Sequence, residues 1–303
     1  MNSLPLSSPS SLQIWLMAIR PKTLVAGFIP VLLGHALAAR DGYHAPGAFL
    51  VALGWTLLIQ IACNLNNDYC DFKRGADTAE RLGPVRVTQS GLMTPEMVLG
   101  ATLLFFTLAV LMGLQLVNML GPPALVLVLV SVLAAYAYTG GPYPLGYNGL
   151  GDVAVFIFFG LVPVALTYYV EAGHFSPLVW LSALVPGTLG IAILTVNNLR
   201  DVKTDRLVGK RTLVVLLGAG FGRFQYAAVM GITALTPVLM WGLELTGPTV
   251  LLPLLSLPLA LPPLRRVFRE SGAALNQALG ETARFELVFG VMLGAGLWMS
   301  TQG

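Results

Sequence analysis

The sequence predicts an all-α protein, a polytopic membrane bundle of nine transmembrane helices with its N-terminus in the cytoplasm. Three observations lead there. Of 303 residues, 56% are hydrophobic and only 10% charged, where a soluble domain carries roughly 25% charged residues. Apolar runs of spanning length recur from end to end, each near the ~20 residues a membrane helix needs. The basic residues, finally, gather in alternate connections. A mean hydropathy of +0.77 leaves too little polar surface for a water-soluble globule.

Residues 1–11, rich in Ser and Pro, read as a disordered tail, and residues 12–303 as a single transmembrane domain. No Lys or Arg precedes Arg20, so the charged start of a signal peptide is missing. Leu12 to Ile19, with Trp15, reads as a short interfacial helix. The expected spans are 23–40, 48–67, 98–117, 120–139, 151–170, 177–198, 224–243, 248–264 and 284–301. The eighth carries Pro248, Pro253, Pro258, Pro262 and Pro263 and is expected to be kinked. With the N-terminus inside, only Arg40 of seventeen basic residues falls outside. Cys63 and Cys70 have no partners at metal-ligand spacing, and His35, His44 and His174 lie scattered near span ends.

Two polar clusters echo each other. Span two ends in Asn64, Asn67, Asp68 and Asp71, spaced i, i+3, i+4, i+7. Span six ends in Asn197, Asp201 and Asp205, spaced i, i+4, i+8. Each set makes an oxygen-rich stripe on one helical face. Four spans separate them, so they face the same side, as a repeat of four helices plus four with one added would require. Ionisable groups near membrane depth are costly and point to function. Hard oxygen ligands suit Mg²⁺, which is commonly held by carboxylates together with substrate phosphates.

Basic residues follow each cluster: Lys73, Arg74, Arg81 and Arg86 after the first, Lys210 and Arg211 after the second. Acids beside bases are what a Mg²⁺–diphosphate needs. A single Asp at a helix end is ordinarily a solvated residue or a cap; two stripes on one side, each trailed by basic residues, favour a site. Asp77 lies six residues beyond Asp71, out of helical register. Tyr138 and Tyr143, between spans four and five, are either interfacial anchors or pocket residues facing an aromatic or cationic group. Asp152 is expected to cap span five, Glu286 to pair with Arg284, and Asp41, Glu171 and Glu244 to meet water outside.

At these residues the chain resembles the UbiA superfamily of intramembrane prenyltransferases. The likeness rests on the paired motifs Asn67-Asp68-x-x-Asp71, with Asp77 beyond, and Asp201-x-x-x-Asp205. It extends over nearly the whole chain. The wording is most similar to the branch acting on 1,4-dihydroxy-2-naphthoate in menaquinone synthesis. Arg20-Pro-Lys-Thr-Leu24, Asn67 to Asp77, Arg81-Leu-Gly-Pro84, Asn198 to Asp205, Gly209 to Leu213 and Leu275 to Leu279 carry it. Unlike the hydroxybenzoate branch, the segment Tyr143-Pro-Leu-Gly-Tyr147 has no basic residue.

The resemblance implies Mg²⁺-dependent transfer of a polyprenyl group from polyprenyl diphosphate to 1,4-dihydroxy-2-naphthoate, with loss of CO₂ and diphosphate. It places Mg²⁺ at Asp68, Asp71, Asp201 and Asp205, with Asp77 as a further ligand, beside Asn64, Asn67 and Asn197. Diphosphate neutralisation falls to Lys22, Lys73, Arg74, Lys210 and Arg211. The expected setting is the bacterial inner membrane, with the site facing the cytoplasm and no nucleic-acid partner. Two alternatives stay open: another acceptor, such as 4-hydroxybenzoate or a glycerol lipid, and a secondary transporter.

Overall fold

A computed structural model describes residues 9–77 and 81–300, and among them there are helices and no strands. Most of the expected tail therefore lies outside the described residues. Helix α1 (Ser11–Ile19) opens with Ser10 and Gln13 in a capping box, each side chain meeting the other's backbone N–H. Arg20 then takes φ 57°, and α2 (Val25–Arg40) leaves at 47° to the first helical segment.

Helices α3 (Pro46–Lys73), α4 (Pro95–Leu120) and α5 (Pro123–Ala137) follow. Gly151–Ala172 is one continuous helix with a π-helical segment, Phe156–Leu161, between α6 (Gly151–Val155) and α7 (Val162–Ala172). Then come α8 (Pro177–Leu207), the short α9 (Leu213–Leu217) and α10 (Ala219–Gly242). Pro248–Ala260 winds as a 3₁₀ helix into α11 (Leu261–Arg269), and α12 (Leu275–Met299) is the last helix among the described residues. Pro253 and Pro258 lie inside the 3₁₀ segment and offer no N–H to its hydrogen-bond ladder.

Seven helical stretches are long and apolar enough to cross a membrane, an eighth arises if α1 and α2 count as one bent span, and α5 is a shorter apolar helix of 15 residues. Helix α2 packs between α12 and α7, α8 against α10, and α3 against α4. The main core joins α2, α7, α8, α10 and α12 around Tyr168, Tyr226, Phe285 and Phe289. Small residues let the backbones meet: a Cβ on Gly34 would lie 2.6 Å from the Val164 carbonyl oxygen.

The lengths of α3 and α8 place the acids. Asp68 stands ~33 Å along its helix from Pro46 and Asp201 ~36 Å from Pro177, at ~1.5 Å per residue. Both distances exceed the ~30 Å thickness of a hydrocarbon core.

Several charged residues depart from expectation. Glu286 does not pair with Arg284; it is 1% exposed and neither carboxylate oxygen has a hydrogen-bond partner among the described residues. The N-cap of α6 is Leu150, while the Asp152 carboxylate accepts a 2.7 Å hydrogen bond from Gln225 of α10. The Glu171 side chain is buried rather than wet and pairs with His35 at 2.8 Å, tying α7 to α2.

Candidate active site

The last turns of α3 carry the first cluster. Asp68 is 1% exposed, and its carboxylate accepts the backbone N–H groups of Val87 and Thr88, both at 3.2 Å. The Arg20 guanidinium lies 3.8 Å from it. Arg20 reaches this place from a left-handed backbone conformation that non-glycine residues seldom adopt. Such strain clusters at functional sites and persists where the surroundings over-determine it. Asp71 accepts from Arg86 at 2.9 Å and from the Tyr147 hydroxyl at 2.7 Å. Asp77 pairs with Arg81 and, at 3.2 Å, with Arg86. Burial pushes the Asp77 carboxyl up to about 6, and the nearby Asp71 and Asp68 carboxylates add to this against the pull of Arg81.

The last turns of α8 carry the second cluster. Asp201 is held by Arg200 at 2.6 Å and Asp205 by Lys210 at 3.7 Å. Two bridges join the clusters. The Lys210 ammonium lies 5.1 Å from the centre of the Tyr147 ring, whose hydroxyl bonds Asp71, so Asp71, Tyr147, Lys210 and Asp205 form one chain of contacts. Burial, with the Asp71 carboxylate beside it, pushes the Tyr147 phenol well up, so it stays a proton donor. On the other side Arg200 donates to Asn276 at 2.9 Å, and Asn276 donates to the Leu82 carbonyl at 2.7 Å. A Cβ on Gly83 would lie 2.8 Å from the Arg200 guanidinium. The loop after the first cluster thus lies against the second.

The expected residues divide. Asp68, Asp71, Asp77, Asp201, Asp205 and Lys210 belong to this network. Tyr138 lines the cavities beside it. Arg74 donates to the Gly141 carbonyl at 2.5 Å and lies 5.5 Å from the Tyr147 ring. Asn64 instead pins the α1–α2 junction, donating to the Ile19 carbonyl at 2.8 Å and to Thr23 at 2.9 Å. Asn67 accepts from Thr139 at 2.7 Å, and Asn197 donates to Ile193 of its own helix at 3.1 Å. Tyr143 is 61% exposed, and Lys22, Lys73 and Arg211 are exposed as well. Arg211 meets the site only through its backbone N–H, 2.9 Å from the Tyr147 carbonyl oxygen.

Sequence reasoning missed Tyr147, Arg20, Arg86 and Arg200 as partners of the acids. Arg86 was legible as the end of the basic run, and Tyr147 as the last tyrosine of its segment. Nothing in the spacing distinguished either from its neighbours.

The expected metal ligands do not stand together as a three-ligand set. Among the described residues no three His, Cys, Asp or Glu side chains converge on one ion. Each carboxylate is turned to an Arg or Lys, because like charges this buried need a countercharge. The donor chemistry still fits Mg²⁺ with a diphosphate. Hard carboxylate oxygens face the network from both helices, and among the described residues the buried Nη1 of Arg86 has no hydrogen-bond partner.

Beside the network lies an apolar cavity lined by Trp55, Cys63, Tyr138, Phe158 and Phe159 among others. Phe158 and Phe159 come from the π-helical segment, a distortion frequent at functional sites.

Residues 27–288 match the UbiA prenyltransferase family. The chain belongs to that family. It is an integral-membrane prenyltransferase, which sets the transporter alternative aside. It is 36% identical to the 1,4-dihydroxy-2-naphthoate octaprenyltransferase of Escherichia coli, covering 96% of this chain and 97% of that protein. The Bacillus subtilis protein of the same name is 33% identical, over 95% and 93%. Among solved structures, a UbiA homologue from Aeropyrum pernix shares the fold with a TM-score of 0.68 at 15% identity, over 94% of this chain and 99% of that one. A UbiA homologue from Archaeoglobus fulgidus, bound to DMAPP and Mg²⁺, gives 0.63 at 13% identity, over 94% and 99%.

Proposed function

We propose that this prenyltransferase moves a polyprenyl group from polyprenyl diphosphate to 1,4-dihydroxy-2-naphthoate, with loss of CO₂ and diphosphate, giving demethylmenaquinol. The observation that carries the reading is the chain from Asp71 through Tyr147 and Lys210 to Asp205, which joins acids of α3 and α8 at one place. The names of the Escherichia coli and Bacillus subtilis relatives support the acceptor.

Asp68, Asp71, Asp201 and Asp205, with Asp77, would hold Mg²⁺. When bound, the metal neutralises charge developing on the departing diphosphate. Arg20, Arg86 and Lys210 offer the cationic donors that phosphate oxygens need. The apolar cavity receives the first part of the prenyl chain and keeps water from the allylic carbon. As the allylic C–O bond breaks, the electron-rich ring attacks, and the ring carboxylate leaves as CO₂. The same reading places nine spans in a bacterial inner membrane, in a four-plus-four repeat with one added, N-terminus and site on the cytoplasmic side.

The test incubates purified protein with Mg²⁺, a polyprenyl diphosphate and a panel of aromatic acceptors. Lipid-soluble product and released CO₂ are expected with dihydroxynaphthoate alone. Product from hydroxybenzoate or a glycerol lipid in its place would refute the acceptor assignment.

A further inference from the structure

The turn between α1 and α2 holds an arginine where a glycine is the ordinary choice. Arg20 closes α1 as its C-cap, with φ 57° and ψ 69°. Glycine takes that conformation without a Cβ penalty and is the usual residue there. An arginine brings what glycine cannot, a long cationic side chain, and its guanidinium stands 3.8 Å from the Asp68 carboxylate. That separation suits an ion pair and is too long for a hydrogen bond. The guanidinium is therefore close enough to feel Asp68 and still able to donate to another anion.

Thr23 is what holds this strained turn in place. Its hydroxyl donates to the Arg20 carbonyl at 2.9 Å, and its backbone N–H reaches the same oxygen at 2.9 Å. The hydroxyl oxygen in turn accepts a 2.9 Å hydrogen bond from the Asn64 side-chain amide. That amide's other proton goes to the Ile19 carbonyl at 2.8 Å. Asn64 is 4% exposed and lies one turn before Asp68 on α3. Between the two ends of the clamp, Pro21 has no N–H to offer and Lys22 is exposed. One hydroxyl thus connects the peptide that aims Arg20 to the helix that carries Asp68. Without it, the Arg20 carbonyl would lose one of two donors and a buried Asn64 proton would lose its acceptor. The turn could then relax out of the left-handed region and carry the guanidinium away.

We infer that Thr23 is a positioning residue for the donor diphosphate. Its hydroxyl fixes the Arg20 backbone and so sets where the guanidinium meets phosphate oxygens beside Asp68. The inference rests on the proposed transfer reaction, and the effect of Thr23 passes through Arg20 alone.

The test measures equilibrium binding of a non-hydrolysable farnesyl thiodiphosphate to detergent-purified protein with Mg²⁺. Thr23→Val keeps the side chain's shape and removes the hydroxyl. It should weaken binding about fivefold to tenfold, the worth of one hydrogen bond. Thr23→Ser, which keeps the hydroxyl, should bind within twofold of wild type. Arg20→Ala should weaken binding at least as much as Thr23→Val. Adding Thr23→Val to Arg20→Ala should change the affinity no further, because the two side chains act as one unit. Thr23→Ala takes the place of Thr23→Val if the valine variant does not fold. Wild-type affinity in Thr23→Val overturns the inference, as does a Thr23→Ser variant that binds as poorly as Thr23→Val. Losses that multiply in the double variant also overturn it, since they assign Thr23 a structural effect independent of Arg20. In each of those cases donor recognition by wild type stands. Failure of wild type to bind the thiodiphosphate defeats the proposed reaction itself.

Discussion

The Tyr147 hydroxyl donates a 2.7 Å hydrogen bond to the Asp71 carboxylate. Its ring meanwhile takes the Lys210 ammonium at 5.1 Å. One side chain thus ties an acid of α3 to the basic residue that holds an acid of α8. Tyr147→Phe removes the hydroxyl and keeps the ring. Turnover should fall about 10- to 100-fold, as loss of a hydrogen bond to a charged group implies, with little change in thermal midpoint. Activity within twofold of wild type would show that the bridge has no part in the reaction.

The carboxylates themselves should matter more. Asp68→Ala and Asp201→Ala are each expected to leave a folded protein in detergent and to abolish measurable prenyl transfer. Removal of Mg²⁺ with a chelator should stop the wild-type reaction, and added Mg²⁺ should restore it. Near-normal rates for both variants would rule out joint use of the two clusters.

Arg86 holds both Asp71 and Asp77, and all three are buried. Removing one partner of a buried ion pair costs about 3–5 kcal/mol because a charge is left uncompensated. Arg86→Ala should therefore lower the thermal midpoint markedly, and Arg86→Lys should not restore it fully, since one ammonium cannot fork between two acids. A midpoint unchanged in Arg86→Ala would mean that solvent already reaches these carboxylates.

Glu286 presents the opposite case, a buried carboxyl with both oxygens unpartnered among the described residues. Replacing it with the neutral isostere removes a group whose charge is costly there. Glu286→Gln is expected to match or exceed the wild-type midpoint at pH 7. A clear drop in thermal scans would reveal a favourable partner for the carboxylate.

Gly296 of α12 sits against the Thr249 backbone so closely that a Cβ would collide with the Thr249 carbonyl oxygen. Gly296→Ala should destabilise the protein even though Ala is favoured in a helix by about 1 kcal/mol. The reverse result in a melting experiment would mean that the 3₁₀ segment can move away.

By itself the sequence determined the helical membrane class and the two acid-bearing helix ends. These are one-dimensional properties: apolar run length fixes what can cross a bilayer, and i, i+3, i+4 spacing fixes which residues share a face. Asp68, Asp71, Asp201 and Asp205 were legible on those grounds. What only the tertiary structure decided is who meets them. Asn64 shares the helical spacing of Asp68 and Asp71, yet it turns to the α1–α2 junction. Tyr143 and Tyr147 look alike in the sequence, yet one is exposed and the other is buried against Asp71. Arg20 reaches Asp68 across 48 positions of sequence only because its backbone turns left-handed between two helices. Countercharges are chosen by proximity in space, and a periodic pattern along one helix carries no information about which distant side chain will fill the gap beside it.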